Sequence, residues 1–192
     1  MFVSFYGECK RNSKKVGVSN EIELLSAINS DMHIILTSSY YNLTNCGGFA
    51  NEKIDSQVGW SFSENGEIHP AESYIINNVN NLTIEGDAKI ATENLMSAAL
   101  TFKQCSNIKI DGLTIGHLNQ YKEYQCEGPV IAAYNSSELT INGCNLFGCG
   151  AEGLYADDVK DIEINNSRIY ECTYTGIWLA GKSNTAHYAA AF

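Results

Sequence analysis

The sequence predicts an all-β solenoid: a chain wound into stacked coils of short strands. Three observations point there. One unit begins three times at a fixed spacing, because Cys126, Cys149 and Cys172 are 23 residues apart, as are the apolar markers Ile131, Leu154 and Ile177. One phrase returns four times, at residues 81–86, 107–112, 138–143 and 161–166, each with two apolar residues two apart. Between these runs there is no helical period. A repeat in the low twenties made of alternating runs is the pattern of an array whose units stack.

Residues two apart in a strand point to the same face. Leu82/Ile84, Ile108/Ile110, Leu139/Ile141 and Ile162/Ile164 therefore face inward. Gly86, Gly112, Gly143 and Asn166 follow them, and these residue types best adopt the left-handed backbone of a tight corner. After the corner comes a second inward pair: Leu113/Ile115, Cys144/Leu146 and Ser167/Ile169. Like residues stacked coil over coil make one continuous interior.

These phrases resemble the right-handed parallel β-helix proteins of pectate-lyase-like fold, over roughly residues 19–181. The resemblance implies about five to six coils and a short N-terminal capping helix, in a short or truncated member of that family. It does not name an activity. Such folds carry polysaccharide lyases, glycoside hydrolases, epimerases, phage tail proteins and non-enzymatic adhesins, so function must come from the site.

Taken in order, residues 1–18 read as an irregular N-terminal segment. Their apolar start followed by Lys10 and Arg11 also resembles the tail of an export segment, with Cys9 as a lipidation candidate. Residues 19–192 read as one β-helix domain. Within it, 19–30 is the capping helix: Asn20 caps, Glu23 stands three residues on, and Ile22, Leu25 and Ile28 form its apolar face. The first coil runs over 32–43, with Ile34, Leu36, Tyr41 and Leu43 inward. Residues 45–72 break the pattern with a long polar insertion carrying Trp60, Glu64, Glu67 and His69. It is either a wall over a binding groove or a surface hairpin with Trp60 packed on the solenoid. Regular coils follow, interrupted by a second insertion at 118–125. In the last coil an inward pair is due at Thr185 and His187. There the tail 182–192 either folds over the open end or leaves it for a second copy or a partner protein.

The formal charge of −10 argues against a surface that grips nucleic-acid phosphates. It also disfavours unaided binding of polyanionic sugars. No apolar run reaches the length of a membrane span. The seven cysteines include three in one column of the repeat, which reads as stacked small apolar side chains; a disulfide framework is the alternative. No Cys or His spacing suits zinc, and no metal site is expected. No cofactor is expected either, although calcium enters through the resemblance, since lyases of that family use it. The same resemblance favours an extracellular or cell-envelope location.

The candidate site is on the strand after the cysteine column. Ala132, Tyr155 and Trp178 share an outward column, and Val130, Gly153 and Gly176 read as a second one with little side chain. Exposed aromatic faces are what sugar rings pack on. Glu152 and Asp157 are the candidate catalytic carboxyls, since glycoside hydrolysis needs two. Tyr155, Trp178, Tyr174, Asp158 and Trp60 are the candidate substrate-binding residues. Each has a structural alternative: Asp157 and Asp158 open a turn, and Tyr155 with Trp178 can be a cross-strand ladder. A lyase needs a cation for the uronate, and Arg168 is the one arginine in the coils. The sequence thus favours a carbohydrate-binding or polysaccharide-processing protein, and if an enzyme, a glycoside hydrolase or polysaccharide lyase. The alternatives are a structural or interaction module of a phage or cell surface, and an acidic decoy for a nucleic-acid-binding protein.

Overall fold

The computed structural model describes residues 13–44, 46, 49, 51–63, 65–118, 126–149 and 151–189. Strand β1 (Lys14–Val18) precedes helix α1 (Glu21–Ala27), then β2 (Met32–Leu36) and β3 (Tyr40–Asn42). A hairpin follows, β4 (Ile54–Phe62) and β5 (Ile68–Asn77). Then each winding contributes three strands: β6 (Asn80–Glu85), β7 (Lys89–Thr92) and β8 (Leu100–Lys103); β9 (Ser106–Asp111), β10 (Thr114–His117) and β11 (Ile131–Tyr134). The next two windings are β12 (Ser137–Asn142), β13 (Asn145–Cys149), β14 (Glu152–Asp157), and β15 (Lys160–Asn165), β16 (Arg168–Cys172), β17 (Thr175–Ala180). Strand β18 (Ala186–Ala189) closes the order.

Strands in equivalent positions stack into three sheets. The first runs β1-β2-β6-β9-β12-β15-β18, the second β16-β13-β10-β7-β3, and the third β17-β14-β11-β8-β5-β4. Every pairing is parallel except β4 with β5. This is the expected right-handed parallel β-helix, with five windings represented in the second sheet.

The interior is the predicted column of aliphatic side chains. Leu82, Ile108, Leu139 and Ile162 lie in register on successive rungs and are all buried, as are Ile84, Ile110, Ile141 and Ile164. Gly112 and Gly143 take φ of 74° and 61°, and Asn166 50°, as the corner requires. A second corner was not visible in the sequence. The second residue of each of β6, β9, β12 and β15, namely Asn81, Asn107, Glu138 and Asp161, is also left-handed. Amides join that corner along the axis: Asn107 Nδ2 donates to Asn81 Oδ1 at 3.1 Å, and Asn81 Nδ2 to Asp31 Oδ1 at 2.9 Å.

Several expectations are corrected. Residues 14–18 are not irregular: they add β1 to the first sheet beside β2. The helix is shorter than 19–30. Asn20 does cap it, accepting from Glu23 N at 2.9 Å, while Glu23 reaches back to Ser19 N. Its buried face is Leu24 and Leu25, continued by Ile28 just past its end; Ile22 is exposed, lying roughly 200° around the helix axis from Leu24. The 45–72 insertion is largely the β4–β5 hairpin, as one of its two readings had it, and β5 runs on into the third sheet. Of the insertion 118–125, residues 119–125 lie outside the described residues. The tail is neither cap nor loop through 189: β18 pairs with β15, so Ala186 and Tyr188 take the positions opposite Ile162 and Ile164. The pair falls one residue later than Thr185 and His187 because the turn at Gly181, φ 83°, holds one residue more. Residues 190–192 lie outside the described part.

Cys46, Cys105 and Cys144 are free and buried. Burial pushes the Cys105 and Cys144 thiols up, and Cys46 to about 11, so these sulfurs pack rather than react. Cys149 and Cys172 stand in register on β13 and β16.

Candidate functional site

The site grows from the outward face of the third sheet. Register places Ile75, Thr101, Ala132, Tyr155 and Trp178 in one column across β5, β8, β11, β14 and β17. Large rings occur only at the last two rungs. A third ring joins them from the neighbouring column: Tyr134 packs on Tyr155 with centroids 5.7 Å apart and planes at 47°. Tyr155 in turn packs on Trp178 at 6.5 Å and 51°. These are tilted contacts of the kind aromatic quadrupoles favour. Trp178 remains 51% exposed.

The rings wall a groove of about 450 Å³, lined by Glu127, Pro129, Tyr134, Ala151, Glu152, Tyr155, Tyr174 and Trp178. A second hollow of about 420 Å³ shares Glu127, Pro129 and Tyr134 with it and runs on past Thr101, Lys103, Ser73 and Gln57. The two form one trench along the sheet.

Glu152 reaches this groove because the chain bends just after it. The column Val130, Gly153 and Gly176, read as outward, is turned in: Val130 and Gly153 are buried, and a Cβ on Gly153 would come 2.2 Å from Ile169 Cγ2. That phase change leaves Glu152 on the groove side of the corner, only 7% exposed. Burial pushes its carboxyl above the ordinary glutamate value, opposed in part by a backbone hydrogen bond. Both phenols rise as well. Tyr155 does so through burial and then the Asp157 and Glu152 charges, and Tyr134 through burial, Tyr155 and the same two carboxylates.

Of the residues singled out in the sequence, Glu152, Tyr155, Tyr174 and Trp178 come together in one groove. Asp157 does not pair with Glu152. The two end the same strand, and five steps of about 3.3 Å separate their Cα atoms by roughly 16 Å. Carboxyls that flank one glycosidic bond stand about 5–9.5 Å apart. The carboxyl that shares the groove with Glu152 is Glu127, the residue after Cys126. Asp158 is occupied by its turn: Oδ1 accepts from Lys182 N at 2.9 Å and Ser183 N at 3.1 Å, which holds its carboxyl below the ordinary range. Trp60 is on the hairpin, 58% exposed, and lines neither hollow. Tyr134 was missed. Its position two residues after Ala132, on the same outward face, was the available signal.

Arg168 lies on the second sheet over the Tyr170 ring, 5.7 Å from its centroid, away from the groove. His117 is buried; its Nε2 lies 2.8 Å from Ser97 O, and burial lowers its pKa. Among the described residues no group of three or more His, Cys, Asp or Glu side chains is placed to hold a metal ion. No helix among them is long and apolar enough to cross a membrane.

A family model described as a right-handed beta helix region matches residues 34–188. No curated protein and no solved structure matches the chain.

Proposed function

From the premise that this chain belongs to the right-handed β-helix family, we propose that it binds a carbohydrate polymer in the trench over its third sheet. The observation that carries this reading is the run Tyr134–Tyr155–Trp178 beside the half-sequestered Glu152. Pyranose C–H faces pack on such rings, while carboxylates and phenols bind the hydroxyls. Strands spaced about 4.8 Å apart make the stretch from β8 to β17 roughly 14 Å long, suited to an oligosaccharide rather than one sugar. Among the described residues the groove around Glu152 has no lysine or arginine in its lining, Lys103 standing farther along the trench, and the chain carries a charge of −10. Both features favour a neutral glycan over a uronate polymer, and hydrolysis over elimination should the glycan be processed. Glu152, holding its proton to higher pH than an ordinary glutamate, then suits the acid role and Glu127 the second carboxyl. An extracellular or cell-envelope location accords with a polysaccharide ligand.

Affinity electrophoresis through gels containing neutral polysaccharides tests the binding. Migration of the wild type is retarded in at least one gel, and Trp178→Ala and Tyr155→Ala lose that retardation while keeping the wild-type circular dichroism. A wild type retarded by no glycan defeats the proposal. Release of reducing ends, abolished in Glu152→Gln with binding retained, distinguishes processing from binding alone.

A further inference from the structure

The β4–β5 hairpin borders the far end of the trench at Gln57 and Ser73 and has two free features of its own. One is a face. Directly opposed residues of an antiparallel pair share a face, and the register sets Trp60 against Pro70 and Val58 against Glu72. Val58, Trp60 and Ile68 on this face are 70%, 58% and 61% exposed. The opposite face is anchored: the Ser61 hydroxyl donates to Glu93 O, Asn94 Nδ2 donates to Ala71 O at 3.2 Å, and a Cβ on Gly59 would strike the Asn94 side chain. The hairpin is therefore held rigidly with its apolar side outward.

The other feature is an edge. Strand β4 is the outermost strand of the third sheet. The phase of its ladder follows from the bonds at its two ends. Asn77 N donates to Lys53 O and Ser63 N donates to Glu67 O. Odd-numbered residues of β4 thus turn their main-chain groups toward β5. Even-numbered ones turn theirs away, and Ser56, Val58 and Trp60 have no main-chain partner on that side among the described residues. Residues 55–58 are exposed on both faces in succession, so nothing described covers this edge. The strand also lacks the devices that usually protect an edge: it has no proline, no lysine and one charge, Asp55.

We propose that β4 pairs antiparallel with β4 of a second copy of this chain about a two-fold axis at Val58. That axis joins only even-numbered residues, those with free main-chain groups. Val58 meets Val58, and Ser56 of one copy meets Trp60 of the other. The same register sets Asp55 opposite Ser61, so the one charge on the strand meets no like charge, and the stripe becomes continuous between copies. A closed, self-complementary contact of this kind gives a dimer rather than a fibre. The contact uses no residue that lines the groove around Glu152, so it stands or falls separately from glycan binding at the aromatic run.

Sedimentation velocity over a range of concentrations tests the pairing. The expected species has about twice the 21.1 kDa mass of the chain. Val58→Pro removes an N–H that β5 does not use and blocks the new ladder; Val58→Lys places two like charges at the axis. Both variants are expected to sediment as monomers with unchanged circular dichroism and thermal midpoint, and the lysine variant still answers the question if the proline variant fails to fold. A wild type that is monomeric throughout overturns the proposal, as does a dimer that persists in a folded variant of either kind.

Discussion

Replacing Gly153 by alanine tests the corner that delivers Glu152 to the groove. The added Cβ would lie 2.2 Å from Ile169 Cγ2 and 2.8 Å from Gly176 O, inside any tolerable contact. The first neighbour is a side chain within the stack; the second is backbone of the next rung and cannot turn aside. Overpacking of this kind costs about 1–3 kcal/mol. For a domain of this size about 2–4 °C of melting temperature goes with each kcal/mol, so the midpoint should fall by roughly 2–12 °C. Gly176 is the internal control. It occupies the same column one rung on, yet its added Cβ would meet Ile169 only at 3.5 Å and 3.9 Å, ordinary contact distances. There the gain from a less flexible unfolded chain, about 0.4–1 kcal/mol, should prevail and Gly176→Ala should be neutral or slightly stabilising. Thermal unfolding followed by far-ultraviolet circular dichroism reads both. Adding Ile169→Ala to Gly153→Ala should recover part of the loss, with a coupling of about 0.5–3 kcal/mol, but not all of it, because the Gly176 carbonyl remains. Equal midpoints for the two glycine variants, or strict additivity in the double variant, would refute the inward orientation of this column.

Two further outcomes follow from named contacts. Glu152 has its pKa raised above the ordinary 4.5 by burial, so its stabilising contribution is complete below 4.5 and is lost as pH rises through the higher folded value. Glu152→Gln should therefore gain stability relative to wild type as pH rises from 4.5, measured by urea unfolding across the range; a constant difference would show that the carboxyl is not buried. Asn20→Ala removes the cap that receives Glu23 N and should lower stability by about 1 kcal/mol, which the same unfolding curves read, with Asn20→Asp retaining most of it.

The interior was legible because its signal is repeated. Leu139 alone says little, but Ile108, Leu139 and Ile162 at matching places in one phrase say that a column exists, and all three are buried in register. Corners were legible where glycine marks them, at Gly112 and Gly143. They were not legible where Asn107, Glu138 or Asp161 adopts the same backbone, since these residue types serve many other purposes on a surface. Two of the errors share one cause: parity was counted straight through a bend. Val130 and Ile131 are neighbours and both buried. A strict alternation cannot place both inside, so the sequence reading turned Val130 and Gly153 outward. Likewise one extra residue before β18 moved the inward pair from Thr185 to Ala186. In the site, Tyr155 and Trp178 were legible as one column, while Tyr134 was not, because its contact with Tyr155 is diagonal and no in-register pairing announces it.

The groove draws on rungs that differ in support. In a stack, each winding is secured by its neighbours on either side. Tyr134 and Glu152 are on β11 and β14, which are paired on both sides. Trp178 is on β17, the outer strand of the third sheet, and beneath it Ile169 and Ile177 are only partly buried while Leu179 is exposed. One wall of the groove is therefore fixed by the column of aliphatic side chains, and the other stands on a winding with fewer contacts to hold it. Local opening is drawn from the less secured parts of a fold, so motion at this site should separate Trp178 and Tyr174 from the rest rather than displace Glu152. A ligand lying across Tyr155 and Trp178 would bridge the two rungs, and binding and order in the last winding would then rise together.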